Sequence, residues 1–172
     1  PKHKGTENLR NDIKRRISKY KSLVEREKKL SKSGGRGLSI KKDGAARIVL
    51  IGVTNSGKST LLGNITNAKP EIAEYEFSTK KPEMGTMDYD GIILQIIEIP
   101  AITENYLEKE KGPAFMGIIR DSDLIVIVSR DKKDVDLVKK ELNDAGIKFN
   151  GIVLDSKDEN AKLKIWKKLG LV

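Results

Sequence analysis

A chain of 172 residues with a net charge of +9 and no cysteine is long enough for one α/β core plus a small extension. It excludes disulfides and cysteine-ligated zinc. No apolar run approaches the roughly 18 residues of a membrane span and no signal peptide is visible, so a cytoplasmic protein without a membrane partner is expected.

The charge is uneven. Residues 1–42 hold fifteen Lys/Arg against four Asp/Glu, a balance of +11, and the remainder balances at −2. Residues 7–32 carry one helical pattern, with Leu9, Ile13, Ile17, Tyr20 and Val24 on a single stripe and basic residues over most of the rest. Such a stripe has to pack on something, and the basic surface suits RNA, the ribosome or another polyanion. A solvated helix face is the other reading. Ser33-Gly34-Gly35-Arg36-Gly37 breaks the pattern as a flexible linker. The expected domains are a basic helical arm with its linker over 1–42 and an α/β domain over 43–172.

From Arg47 onward, strand and helix patterns alternate. Strands are predicted near 47–52, 85–90, 92–99, 124–129 and 149–154, and helices near 58–66, 113–121, 133–145 and 159–169. Asp90-Gly91 is a hairpin signal between the second and third strands. The wholly apolar run Leu124 to Val128 reads as a parallel strand buried on both faces. Trp166, between Leu163 and Leu169, is expected to pack.

Residues Gly52 to Thr60 spell G-x-x-x-x-G-K-S-T between an apolar strand and a helix. Gly52 and Gly57 let the backbone of Asn55, Ser56 and their neighbours wrap around phosphate oxygens. Lys58 would reach the β- and γ-phosphates, and the Ser59 hydroxyl would bind Mg²⁺. The predicted fold is therefore a P-loop NTPase: a mostly parallel sheet with helices on both faces and an antiparallel hairpin at one edge.

The stretch Gly44 to Thr60, with Ala73-Glu74-Tyr75-Glu76-Phe77-Ser78-Thr79 and Pro82 to Gly85, resembles the Obg-related GTPases, especially the developmentally regulated GTP-binding protein (DRG) branch. Residues 2–30 resemble the second half of that branch's N-terminal helical hairpin, and Leu163 to Leu171 resembles its last helix before a small C-terminal TGS domain. The hairpin's first helix, the helical insertion after switch II and the TGS domain find no counterpart in this sequence. The resemblance implies GTP and GDP as ligands, with Thr79 in switch I completing a Mg²⁺ shell opposite Ser59. A turn or N-cap is the other reading of Thr79. It also implies that Asn55 holds a K⁺ ion beside the phosphates, where a turn asparagine is the alternative.

Two motifs depart from that pattern. Switch II, usually D-x-x-G, reads Glu98-Ile99-Pro100-Ala101. Glu98 can still stand behind a Mg²⁺-bound water, and Ala101 keeps the N–H that would meet the γ-phosphate, although its Cβ penalises any positive φ. Ile102 follows where no glutamine orients water, as in the family. The base-reading N-K-x-D finds only Asp155-Ser156-Lys157-Asp158, in which Asp158 could accept from guanine; a surface turn explains the segment equally well. Glu108, Lys109, Glu110 and Lys111 read as a solvated loop.

These expectations amount to a guanine-nucleotide-binding protein of the DRG/Obg type with slow GTP hydrolysis, acting on RNA or the ribosome. The alternative is a degenerate module that keeps the fold for RNA or protein contacts without nucleotide switching.

Overall fold

The computed structural model describes residues 13–18, 20–22, 40–66, 71–72 and 82–172. The chain forms two compact units, Pro1–Gly37 and Leu38–Val172. In the first, 13–18 and 20–22 are helical, and Ile13, Ile17 and Tyr20 each stay about half exposed.

The second unit is built on a six-stranded sheet in the order β2-β3-β4-β1-β5-β6. Its strands are β1 (Ala46–Ile51), β2 (Glu71–Ile72), β3 (Glu83–Tyr89), β4 (Ile92–Glu98), β5 (Leu124–Val128) and β6 (Ile152–Leu154). Strands β4, β1, β5 and β6 run parallel, and β2 and β3 add antiparallel. The β3–β4 hairpin closes through Asp90 and Gly91 at φ of 48° and 82°. Both central residues are thus left-handed, the geometry that matches strand twist in a two-residue turn.

Alternation along β1 sends its side chains to both faces. Val49 and Ile51 join a core with Phe115, Ile119, Val138 and Leu142, while Ile48 and Leu50 join one with Leu61, Leu62, Ile65 and Ile165. The first core is roofed by α2 (Gly112–Arg120) and α3 (Lys132–Asp144), the second by α1 (Lys58–Ile65) and α4 (Ala161–Leu169). Helices on both faces explain why β5 is apolar at every position. Trp166 packs at the rim of the second core, its ring 4.8 Å from that of Tyr89.

Residues 40–42 are fastened to the sheet. Ile40 is buried, its carbonyl accepts from Arg47 Nη2 at 2.7 Å, and Gln95 Nε2 donates to the Lys41 carbonyl at 3.0 Å. Arg47 Nε donates to Gln95 Oε1 at 2.9 Å, so the buried guanidinium is met by oxygen acceptors. Lys42 pairs with Asp123 at 2.7 Å. The unit therefore begins inside the stretch whose charge groups it with the arm.

Two elements lie beyond the sequence expectations. β2 is only two residues long and pairs Ile72 with Glu83. A 3-10 turn, Tyr106–Glu108, interrupts the polar segment before α2. Lys109 N–H donates to the Tyr106 carbonyl there, so the backbone is structured while the side chains of 108–110 stay exposed.

Candidate nucleotide site

Parallel register sets the site. Leu50 lies opposite Glu98 and Val128 opposite Leu154, so the loops leaving β1, β4, β5 and β6 meet at one carboxyl edge of the sheet. Ligands of open parallel sheets bind at that edge.

The phosphate loop departs from β1 through Gly52 and enters α1 at Gly57. Gly57, at φ 90°, precedes the helix, and Asn55 is also left-handed at φ 59°. A Cβ on Gly52 would stand 2.6 Å from both Ser56 Oγ and the Val128 carbonyl; one on Gly57 would stand 2.3 Å from Ser156 Cβ. Glycine is required at both places, by close approach and at Gly57 also by φ.

A cleft of about 470 Å³ opens over this loop. Among the residues expected from sequence, Asn55, Gly57, Lys58, Ser59, Thr60, Glu98 and Ala101 line it, joined by Thr54. Gly52 and Ser56 of the same loop do not line the cleft, and Ser56 Oγ is buried and unpaired. Thr79 falls outside the described residues.

Lys58 Nζ folds onto the loop and donates to the carbonyls of Val53 at 2.9 Å and Gly52 at 3.4 Å. Burial pulls its pKa down, and Glu98 works against that shift. Ser59 Oγ donates to Glu98 Oε1 at 2.9 Å, and Glu98 Oε2 is buried without a hydrogen-bond partner. Burial raises the Glu98 pKa, against the opposing pull of Ser59 and Lys58. A hydroxyl oxygen beside a carboxylate with one buried, unsatisfied oxygen is a hard donor set that fits Mg²⁺ and its water. Ala101 does not adopt a positive φ, so its Cβ carries no backbone strain in this arrangement.

The turn after β6 lies beside the phosphate loop, with Ser156 packed on Gly57 and its carbonyl accepting from Asn64 Nδ2 at 3.5 Å. Asp158 is committed locally. Its Oδ1 accepts from Asn160 N–H at 3.0 Å and its Oδ2 pairs with Lys164, which holds its carboxyl below the usual range. Asp155 likewise bonds Lys157 N–H and pairs with Arg130 at 2.6 Å. The sequence reading did not anticipate Lys164 and Arg130 as partners of these carboxylates, because neither stands at motif spacing from them.

Residues 47–156 match the family described as 50S ribosome-binding GTPase. Developmentally-regulated GTP-binding protein 2 of Homo sapiens is 32% identical over 153 residues, covering 87% of this chain and 42% of that protein. GTP-binding protein 1 of Schizosaccharomyces pombe is 36% identical over 155 residues, with the same 87% and 42% shares. The chain thus spans less than half the length of these relatives. Among solved structures, the G domain of the T. maritima FeoB iron transporter superposes with a TM-score of 0.53 at 20% identity, over 73% of this chain and 82% of that one. A GDP-bound variant of S. thermophilus NFeoB gives 0.55 at 17% identity, over 74% and 65%. At such identities the likeness is one of fold, a GTPase G domain. The phosphate loop with its cleft and the match over most of the chain lead to one family: the chain belongs to the 50S ribosome-binding GTPases, with the DRG proteins among its relatives.

Proposed function

We propose that this chain binds GTP and GDP at the phosphate loop, hydrolyses GTP slowly, and acts on RNA or the ribosome through its basic N-terminal segment. The observation that carries the reading is the cleft in which Lys58, Ser59, Glu98 and Ala101 converge. Lys58 would exchange its two carbonyl partners for phosphate oxygens, where a charge-assisted bond is stronger. Ser59 would hold Mg²⁺, with Glu98 behind a bound water and Thr79 of switch I on the opposite side. The ion would supply neutralisation of charge on the phosphate oxygens. Asn55, at the rim of the same cleft, is the candidate K⁺ holder.

Slow hydrolysis is supported by the residue that follows switch II. Phosphoryl transfer is catalysed by positioning and charge, and Ile102, which follows switch II, is fully buried and offers neither. The RNA or ribosome reading is supported by the +11 balance of residues 1–42 and by the family description.

One observation favours the second reading, a degenerate module that keeps the fold for RNA or protein contacts without nucleotide switching. Both Asp158 oxygens are engaged, one by the Asn160 N–H and the other by Lys164 of α4, and Asp155 and Ser156 stand where an asparagine and a stacking lysine read guanine. Calorimetric titration of the full chain with GDP, GTP and ATP separates the two. Guanine nucleotides should bind at least tenfold tighter than ATP; equal affinities for all three, or no binding at all, favour the degenerate module.

A further inference from the structure

Glu141 is a carboxylate on the apolar face of its helix. Val135, Val138 and Leu142 of α3 enter the core, and Glu141 on the same face is only 3% exposed. An ionised group there is costly unless its oxygens are hydrogen-bonded. Both are: Asn105 N–H donates to Oε1 at 3.0 Å and Tyr106 N–H to Oε2 at 2.9 Å. Asn105 takes a left-handed φ of 54° at the start of the 3-10 turn. That conformation turns two successive amides toward one anion. The carboxylate of α3 thus fixes the start of the 3-10 turn that follows switch II.

Tyr106 carries the restraint back toward the cleft. Its ring is buried in the core and its hydroxyl donates to the Pro100 carbonyl at 3.3 Å. That carbonyl and the Ala101 N–H belong to the same planar peptide group and point in opposite directions. Holding the oxygen toward Tyr106 therefore turns the N–H away from it, at a residue that lines the phosphate cleft. On the other side, Ile102 N–H is tied to the Gly52 carbonyl at 3.0 Å. The Pro100–Ala101 peptide is held from both neighbours.

We infer that Glu141 and Tyr106 are positioning residues that set the Pro100–Ala101 peptide so that Ala101 N–H meets the terminal phosphate of a nucleoside triphosphate. The preference of this chain for triphosphate over diphosphate is then set from α3, through the 3-10 turn. The inference rests on the guanine-nucleotide reading above and names the part of the site that senses the third phosphate.

The test is the ratio of two affinities. The full chain, Tyr106→Phe and Glu141→Gln are titrated calorimetrically with GDP and with a non-hydrolysable GTP analogue, in Mg²⁺. Both substitutions keep shape and remove part of the brace. GDP affinity should stay within about twofold, and triphosphate affinity should fall roughly threefold to tenfold, the range one hydrogen bond supplies. A role in packing alone lowers the melting temperature and leaves the ratio where it was. An unchanged ratio in both variants, with a wild type that binds both nucleotides, overturns the inference and spares the guanine-nucleotide reading. A wild type that binds neither nucleotide overturns both.

Discussion

Ser59 Oγ donates to Glu98 Oε1 at 2.9 Å, so the hydroxyl that would bind Mg²⁺ and the carboxylate that would stand behind its water are bonded directly to each other. The contact depends on glutamate's length and on the register that brings Glu98 opposite Leu50. Metal binding has to break or bend this bond. The other carboxylate oxygen, buried and unpaired, is where the cost of holding the charge is felt.

That cost gives a pH signature. The folded-state pKa of Glu98 is raised, burial being the main cause. The folded protein therefore holds the proton more tightly than the unfolded chain, and stability falls as pH rises from glutamate's ordinary range through the raised value. Glu98→Gln keeps an acceptor for Ser59 and removes the charge. It should melt above wild type near pH 7–8, with the gap closing toward about pH 4. Thermal denaturation across pH checks this, and a gap independent of pH would mean that the charge costs nothing.

Lys58→Ala should abolish nucleotide binding. Bonds from an ionised donor contribute about 1.5–3 kcal/mol each, so a loss of roughly 100-fold or more is expected with two phosphates released. Removal of a buried, partly desolvated ammonium should leave the fold intact, which circular dichroism would verify. An affinity for GDP equal to wild type would end the phosphate-loop assignment.

Much of the fold was legible because the apolar patterning is strong. The uninterrupted Leu124–Val128 run and the Asp90-Gly91 turn fall where periodicity and turn chemistry place them. β2 escaped because two residues carry no period, and its pairing with β3 is tertiary. In the site, the motif residues from Asn55 to Thr60 were visible from spacing, with Glu98 and Ala101 identified through the resemblance. The brace from Glu141 was missed although its signal was present: a carboxylate in step with Val135, Val138 and Leu142 on an otherwise apolar face. Sequence shows that such a group needs partners, but the partners, two amides 35 and 36 residues away, are a matter of packing.

Gly57 offers a steric test of the contact between the phosphate loop and the turn after β6. Alanine there meets Ser156 Cβ at 2.3 Å and an unfavourable φ of 90°. Gly57→Ala should cost about 1–3 kcal/mol of stability and weaken nucleotide binding. Ser156→Gly removes the clashing atoms while leaving the φ penalty, so the double variant should recover part of the lost stability. Denaturant titration of the four proteins gives the coupling directly, and no recovery would mean that backbone strain is the whole effect.

The proposed arm has a salt signature. If residues 1–42 neutralise about six phosphates of a duplex, log K should fall with log salt at a slope near −5. Deleting residues 1–36 leaves the unit from Leu38 onward with its own core, and should flatten the slope and remove most RNA binding. Filter or fluorescence binding at several salt concentrations measures both. A truncated chain that binds RNA as tightly as the full one would reduce the arm to a solvated helix.

Single-turnover GTP hydrolysis should be slow in the wild type and partly restored by Glu98→Asp with Ala101→Gly. The shorter carboxylate withdraws from Ser59, freeing the hydroxyl for Mg²⁺ and suiting a bound water between them. Glycine at position 101 opens conformations that alanine, now at an unstrained φ, cannot enter cheaply. A gain of roughly tenfold corresponds to about 1.4 kcal/mol of transition-state stabilisation, within reach of one repositioned donor. The brace from Tyr106 and Ile102 limits how far the freed peptide can move, so Ala101→Gly alone should give less than the pair. If Asn55 holds K⁺, the gain should be larger in K⁺ than in Na⁺, and Asn55→Ala should erase the difference. A wild-type rate already typical of an activated GTPase, or a double variant no faster than its parent, would show that Glu98 and Ala101 do not limit the chemistry.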